Sequence, residues 1–155
     1  MPSIGNISFE NPLLLGPMAG VTDSAFRTIC RQEGAAGSYT EMVSAKALLY
    51  QDKKSRQLLF ISPEEHPCGV QIFGSEPEVC AQAAQLALEI SGADFVDINM
   101  GCPMPKITGN GEGSALMRNI PQAEKLIRAV RQAVQVPLTV KFRKGYEADE
   151  DTCVE

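Results

Sequence analysis

An asparagine and a cysteine follow an apolar stretch of the chain, at a place where side chains could carry out chemistry. The run FVDINM, residues 95–100, is rich in β-branched residues and predicts a strand. Asn99 stands near its end, and Cys102 follows in a Gly-Cys-Pro turn that opens a glycine-rich loop. A cysteine is often only a small buried hydrophobic side chain, but loops after strands run over the surface and collect site residues. We therefore interpret Cys102 as a functional residue of an α/β enzyme.

Strand-like and helix-like stretches alternate along most of the chain, which is typical of parallel β/α units. Five strands are predicted, at residues 12–18, 38–43, 68–74, 94–100 and 137–143. Helices are predicted between and after them, at residues 24–34, 45–51, 77–91 and 121–134. In β/α barrels the site residues lie at the C-terminal ends of the strands, where Cys102 is expected.

Local signals predict the helix boundaries and the buried helix faces. Thr22 or Asp23 could cap the first helix, which Gly34 ends. Helical spacing predicts apolar faces at Ala25, Phe26, Ile29 and Cys30, then at Val79, Ala83, Leu86, Ala87 and Ile90, and finally at Ala123, Leu126, Ile127, Val130 and Val134. Ahead of the first strand, residues 3–12 predict a short hairpin around Gly5-Asn6 that could cover the bottom of a barrel.

Composition predicts one globular domain. The chain has 155 residues, 44% of them hydrophobic, in runs too short for a membrane span and with no signal peptide at the start, so a cytoplasmic location is expected. Five cysteines without CxxC spacing argue against a disulfide framework and a zinc site, and we expect no metal. The net charge of −5 gives no overall basic footprint, so any contact with RNA must be local.

Two further titratable residues are open to different interpretations. His66, the only histidine, lies between glutamates and a proline and is predicted to be a solvated loop residue. Glu41 lies near the end of the second predicted strand, where it could act as a base or hold a neighbouring loop in place. The sequence does not decide between these two roles of Glu41.

Five segments in order resemble the tRNA-dihydrouridine synthases, and most closely their bacterial B-type branch. The segments are LLLGPMAGVTDSAFR, TEMVSA, VQIFGSEP, DFVDINMGCPMPKITGNGEGSALM and PLTVKFRKGY, each at the end of a predicted strand. The resemblance implies an α/β fold, the N-terminal part of a TIM (β/α)8 barrel with about five βα units after a short β-hairpin. Residues 1–155 would be a partial FMN-binding catalytic domain, and the remaining strands, the phosphate-binding loops and a helical tRNA-binding domain would lie beyond it.

The resemblance also implies a role for individual residues in adding a hydride to C6 and a proton to C5 of a uracil ring. Cys102 would be the acid, since a cysteine thiol is mostly protonated at neutral pH. FMN would be the hydride donor and NADPH its reductant. The residues implied to bind FMN are Pro17, Met18, Ala19, Gln71 and Lys141, and those implied to bind the substrate are Asn99 and Arg143.

The residue types make several of these roles plausible on their own. Gln71 is a polar residue within an apolar run and needs a hydrogen-bonding partner. Lys141 is predicted to point inward, where a buried ammonium needs an anion such as a reduced flavin. Arg143 lies two residues further on the same strand face and could reach the substrate or the flavin phosphate. The glycines of residues 105–117 would let that loop fold over the base.

The implied partner is tRNA, with a uridine of the D-loop as the acceptor. A flavin enzyme of the dihydroorotate dehydrogenase type is the enzymatic alternative, because it shares the barrel, the flavin and an active cysteine. The non-enzymatic alternative is an incomplete barrel that binds no flavin, since five strands cannot close a barrel of eight.

Overall fold

A small hairpin begins the chain in the computed structural model, which describes residues 1–147, 149–151 and 153. Its strands, β1 (Ser3–Ile4) and β2 (Ile7–Ser8), are antiparallel. Gly5 turns between them with φ of +57°, and a Cβ there would lie 2.8 Å from Pro137, just before the last strand. Phe9 follows the hairpin and packs in a buried cluster with Ala36 and Phe95. The hairpin therefore covers the N-terminal end of the sheet, as predicted.

Within the described residues, the main sheet has six strands, all parallel. They are β3 (Leu14–Leu15), β4 (Gly37–Tyr39), β5 (Val43–Ser44), β6 (Cys68–Phe73), β7 (Phe95–Met100) and β8 (Leu138–Phe142). The order across the sheet is β3-β4-β6-β7-β8, and β5 also pairs with β6. Apart from β4 and β5, which both pair with β6, strands that follow one another in the chain are neighbours in the sheet, which curls into half of a barrel. The predicted partial TIM barrel is confirmed.

The helices are α1 (Ser24–Gln32), α2 (Ala45–Leu49), α3 (Lys53–Gln57), α4 (Pro77–Ser91), α5 (Pro105–Thr108) and α6 (Ile120–Ala133). Two 3-10 turns cover Pro63–Glu65 and Gly113–Arg118. The first predicted strand is shorter in the structure, and the second is divided into β4 and β5. The glycine-rich loop after β7 contains two helical turns, so it is not an open loop.

The main core lies between the outer face of the sheet and the helices α4 and α6. Alternate residues of the two central strands, Val70, Ile72, Val96 and Ile98, point into it together with the predicted stripes of both helices. Ile90 is the exception, since it is 37% exposed and lies outside this core. The strand residues between them, among them Gln71 and Asp97, lie on the other face of the sheet. We call this other face the inner face.

The apolar residues predicted to share one face of α1 do so, but that face is exposed and the helix packs through another side chain. Phe26 and Ile29 are 40% and 55% exposed, whereas Arg27 is 1% exposed. Arg27 forms an ion pair with the buried carboxylate of Glu65, and its guanidinium also donates to backbone carbonyls of Thr22 and Phe60. A guanidinium with all these partners can be buried, so the helix packs on the connector after α3 through Arg27.

Two side chains near turns of the chain, those of Asp23 and His66, have defined hydrogen-bonding partners in the structure. Asp23, rather than Thr22, caps α1, because its carboxylate accepts the Phe26 N–H at 2.9 Å. His66 lies in a loop, as predicted, with 38% of its side chain exposed, and the structure adds a partner, because Nδ1 lies 2.7 Å from Oδ2 of Asp94. His66 is therefore a partner of the residue that precedes β7.

Candidate active site

Polar side chains from three adjacent strands form one hydrogen-bonded row on the inner face. Thr139 of β8 donates its hydroxyl to Oδ1 of Asp97 on β7 at 2.6 Å. Gln71 of β6 donates Nε2 to Oδ2 of Asp97, also at 2.6 Å, and Asn99 of β7 donates Nδ2 to Oε1 of Gln71 at 3.0 Å. Gln71 and Asp97 are each 1% exposed and Asn99 8%. The polar Gln71 of the apolar run has therefore found partners in the protein.

The row ends at the turn that carries Cys102. Oδ1 of Asn99 accepts the backbone N–H of Gly101 at 3.2 Å and that of Cys102 at 3.0 Å. Arg143, the residue after β8, donates Nε to the carbonyl of Gly101 at 2.6 Å. Asparagine commonly closes a turn in this way. The turn is therefore held from two strands, and the half-buried Cys102 stands beyond the end of β7.

The loop after Cys102 packs directly against it. The N–H of Ser114 donates to the Cys102 carbonyl at 3.0 Å. Gly113 has φ of +60°, and a Cβ there would lie 2.7 Å from the Cys102 carbonyl oxygen and 2.9 Å from Cγ2 of Ile107. Only glycine combines this backbone conformation with such a close approach. The loop thus already covers one side of the Cys102 turn.

Lys141 lies opposite Asn99 in the register of β7 and β8, but the prediction that it is buried was wrong. Its side chain is exposed, because β8 is an edge strand of the described sheet and the ammonium reaches solvent. Its charge still acts on Asp97. Burial raises the pKa of Asp97, while the hydrogen bonds from Thr139 and Gln71 and the charge of Lys141 oppose that rise.

Asp97 is a site residue that the sequence interpretation missed. It lies two residues before Asn99 and therefore on the same strand face, and an aspartate within an apolar run was the available signal. Beside it, burial raises the pKa of Tyr39, and the charge of Asp97 raises it further. The Tyr39 ring packs edge-on against Phe95 at 5.2 Å between centroids. These two rings close the inner face below Asp97.

The turn after β3 lies at the same end of the sheet as Cys102, with β4 and β6 between β3 and β7. Pro17 is half-buried, whereas Met18 and Ala19 are exposed. The hydroxyl of Thr22 accepts the Met18 N–H at 3.0 Å, and the carboxylate of Glu41 accepts the N–H of Gly20. Glu41 therefore holds this turn, which supports the structural one of its two predicted roles.

The exposed side chains at this end of the sheet, and the amides with a hydrogen left to donate, suit a flavin. Its ring carries carbonyl acceptors, and its reduced form is an anion, which the exposed ammonium of Lys141 could meet. Asn99, which is 8% exposed, keeps one amide hydrogen outside the bonds already described; Gln71 keeps one as well, but it is only 1% exposed. Met18 and Ala19 present a small, exposed surface to a planar ring. The donor chemistry of the described residues thus fits the group.

Other features of the described chain lie elsewhere or give no site. A cavity of about 560 Å³ is on the outer face of β8, against α6, and is lined by apolar residues such as Met100, Val140 and Phe142. Among the residues that the structure describes, no group of three histidine, cysteine, aspartate or glutamate side chains could hold a metal ion. No helix in the described ranges has the length and apolar character to cross a membrane.

Comparison with known proteins places the chain in a family. The sequence model of the dihydrouridine synthase (Dus) family matches residues 14–155. A tRNA-dihydrouridine synthase B of Shewanella oneidensis is 47% identical over 146 residues, which are 94% of this chain and 45% of that protein. Proteins of the same name from Vibrio parahaemolyticus and Pseudomonas aeruginosa are 43% and 44% identical, over 98% and 94% of this chain and 47% and 44% of their own lengths. The chain thus spans slightly less than half the length of these relatives, and it belongs to the dihydrouridine synthase family.

Proposed function

We propose that residues 1–155 are part of the FMN-binding catalytic domain of a tRNA-dihydrouridine synthase. The reaction is the reduction of the C5–C6 double bond of a uridine in tRNA to dihydrouridine. The observation that carries the proposal is the Cys102 turn, which Asn99 and Arg143 hold beyond the end of β7. The relatives that match most of the chain carry the name tRNA-dihydrouridine synthase B, which favours this enzyme over a dihydroorotate dehydrogenase.

Cys102 is the proton donor in this proposal. When bound, FMN supplies the hydride that C6 receives, with NADPH as the reductant of the flavin. The thiol of Cys102 gives its proton to C5, so that no charge remains on the ring. The hydrogen bonds from the backbone N–H groups of Gly101 and Cys102 to Asn99 hold the turn, and the close contact of Gly113 with Cys102 limits its movement. The protein thus presents the acid from a fixed position.

We assign the remaining groups to the flavin or the substrate, according to the N–H donors that the protein's own hydrogen bonds leave free. Lys141, Gln71 and the turn from Pro17 to Ala19 hold FMN. Asn99 offers its second amide hydrogen to a uracil carbonyl, because its oxygen already accepts two backbone N–H groups. Arg143 uses Nε on Gly101 and keeps its two terminal NH₂ groups for a phosphate of the substrate or the flavin.

A uridine of the tRNA D-loop is the proposed acceptor, and the cytoplasm the proposed location. The acidic chain offers no broad basic surface, with 14 lysines and arginines against 19 acidic residues. Contacts with the phosphate backbone of tRNA would therefore be few on residues 1–155. We expect most of the tRNA affinity to come from other parts of the full-length protein.

A complementation assay tests the proposed function. A strain lacking its own B-type synthase receives the gene that encodes this chain, with any coding sequence that continues beyond residue 155. We expect dihydrouridine in the tRNA, measured by mass spectrometry of nucleosides, and its loss with Cys102→Ala. Cys30→Ala is the matched control, because Cys30 is a half-buried cysteine on α1, away from the site. Unmodified uridine with the unaltered gene would refute the proposal.

Flavin binding separates the enzyme from an incomplete barrel. The purified full-length protein should show the absorbance bands of a bound flavin, and Lys141→Ala should weaken its retention. We expect weak FMN retention by residues 1–155 alone, since the phosphate-binding loops of such barrels follow the seventh and eighth strands. A colourless full-length protein that FMN does not titrate would favour the alternative that binds no flavin.

A further inference from the structure

We infer that Asp97 is a positioning residue, which sets the orientation of the Gln71 and Asn99 amides and through them the Cys102 turn. This inference rests on the proposed function for its catalytic meaning, but its geometry stands independently. The three side chains form an unbroken path from Asp97 to the backbone of Cys102. We call this path the amide relay.

The groups at the two ends of the amide relay fix which way each amide turns. Backbone donors lie at one end, and the Asp97 carboxylate, an acceptor, lies at the other. Backbone N–H groups only donate, so Asn99 must turn its oxygen toward Gly101 and Cys102 and its NH₂ toward Gln71. Gln71 must then turn its oxygen to Asn99 and its NH₂ to Asp97. The relay therefore needs an acceptor at position 97, and the carboxylate oxygen 2.6 Å from Nε2 provides it.

Burial makes the wrong orientation costly. Gln71 and Asp97 are almost completely buried, so water cannot replace a lost partner. Without an acceptor at position 97, the Gln71 amide would leave a donor unsatisfied or rotate. Rotation would point its NH₂ at the NH₂ of Asn99, and a matching rotation of Asn99 would point NH₂ at the Cys102 N–H. The Cys102 turn would lose its support in either case.

Thr139 anchors the other side of the carboxylate and allows a discriminating variant. Its hydroxyl donates to Oδ1 of Asp97 and also lies 3.4 Å from the Val96 carbonyl. In Asp97→Asn, the new amide can donate to the Thr139 oxygen while its own oxygen faces Gln71, because the hydroxyl hydrogen can turn to Val96. Asp97→Asn thus keeps the relay, whereas Asp97→Leu, of similar size, removes the acceptor.

Hydrogen–deuterium exchange of the full-length protein, without tRNA or NADPH, tests the relay. The readout is the exchange rate in peptides that cover Gly101 and Cys102, with peptides from α4 as the reference for global stability. Asp97→Leu should speed exchange at the turn on the order of tenfold, the factor for losing one ordinary hydrogen bond, with α4 unchanged. Asp97→Asn should exchange like the unaltered protein.

A second variant keeps the test decisive if Asp97→Leu does not fold. Gln71→Met interrupts the same path between Asp97 and Asn99 and should speed exchange at the turn by a similar factor. The double variant should exchange no faster than either single variant, because both break one path. Unchanged exchange at the turn in Asp97→Leu or in Gln71→Met, or an Asp97→Asn protein that exchanges fast or fails to fold, would overturn the inference.

Kinetics connect the relay to catalysis. In an active enzyme, Asp97→Leu should lower kcat on the order of tenfold with little change in KM for tRNA, because we expect most of the tRNA affinity to come from other parts of the full-length protein. Asp97→Asn should recover most of kcat. A protein without dihydrouridine-forming activity would refute the proposed function and leave the exchange result standing. Unchanged exchange would overturn the positioning role even in an active enzyme.

Discussion

Replacing Gly113 by alanine should separate the loop from Cys102, and the structure provides the size of the effect. Gly113 and Gly111 have similar positive φ values of +60° and +73°. An alanine in this conformation costs about 1–2 kcal/mol of folding free energy at either position. Only at position 113 would the new methyl group meet backbone, 2.7 Å from the Cys102 carbonyl oxygen; at position 111 the nearest atom is 3.9 Å away.

The difference between the two variants therefore isolates the close approach. Overpacking of a tight contact costs about 1–3 kcal/mol, so Gly113→Ala should lower the free energy of unfolding by about 2–5 kcal/mol and Gly111→Ala by about 1–2. Urea titration followed by circular dichroism measures both values. A maleimide should also label Cys102 faster in Gly113→Ala alone. Equal destabilisation by the two variants, with equal labelling of Cys102, would refute the contact between Gly113 and Cys102.

Three further outcomes follow from the structure. Burial raises the pKa of Cys68 from 9.0 to about 11, so at pH 8 a maleimide should label it on the order of 100-fold more slowly than an ordinary exposed thiol, as peptide mass spectrometry would show. The raised pKa of Asp97 means that the folded protein binds a proton more tightly than the unfolded chain. The stability of the wild type relative to Asp97→Asn should thus be highest below pH 3.8, the ordinary pKa of an aspartate, and should fall as the pH rises through the pKa of Asp97 in the folded protein. Urea titration at several pH values measures this difference. Glu41→Ala should cost about 1–3 kcal/mol and weaken FMN binding, because the Gly20 N–H loses its acceptor, whereas Glu41→Gln should keep most of both, as urea and FMN titrations would show.

Each of these outcomes has a result that would contradict it. Cys68 labelled as fast as Cys30 would contradict its burial. A relative stability of Asp97→Asn that falls as pH rises would reverse the expected sign, since Lys141 and the two hydrogen-bond donors would then outweigh burial. Equal stability and FMN affinity of the two Glu41 variants would show that the hydrogen bond to Gly20 does not hold the turn.

The longer elements could be predicted from the sequence because their signals are local. The predicted third, fourth and fifth strands agree with β6, β7 and β8 within one residue at each end. Their apolar runs are long enough to show where pairing begins and ends. The first two predicted strands were less accurate, since β3 pairs through only two residues and β4 ends before Thr40. Leu13 and Met18 lie outside the paired residues of β3, and Met42 and Val43 outside those of β4, so apolar character could not locate the ends of the pairing.

The helix α1 shows the limit of periodicity. Its apolar residues share one face, as expected, but that face is exposed in the described structure and Arg27 is buried instead. The partner of Arg27 is Glu65, 38 residues later in the chain. Helical spacing shows which side chains share a face, but the surface that this face meets depends on residues far away in sequence.

The order of the β/α units, the family and the place of Cys102 in a turn after a strand could be predicted from the sequence, because these depend on neighbouring residues and recognisable segments. The position of Asp97 behind Gln71 and Asn99, and the exposure of Lys141, became visible in the folded chain alone. Those facts depend on the register of three parallel strands and on which strand lies at the edge. Register and neighbours arise from long-range pairing, which no local pattern records.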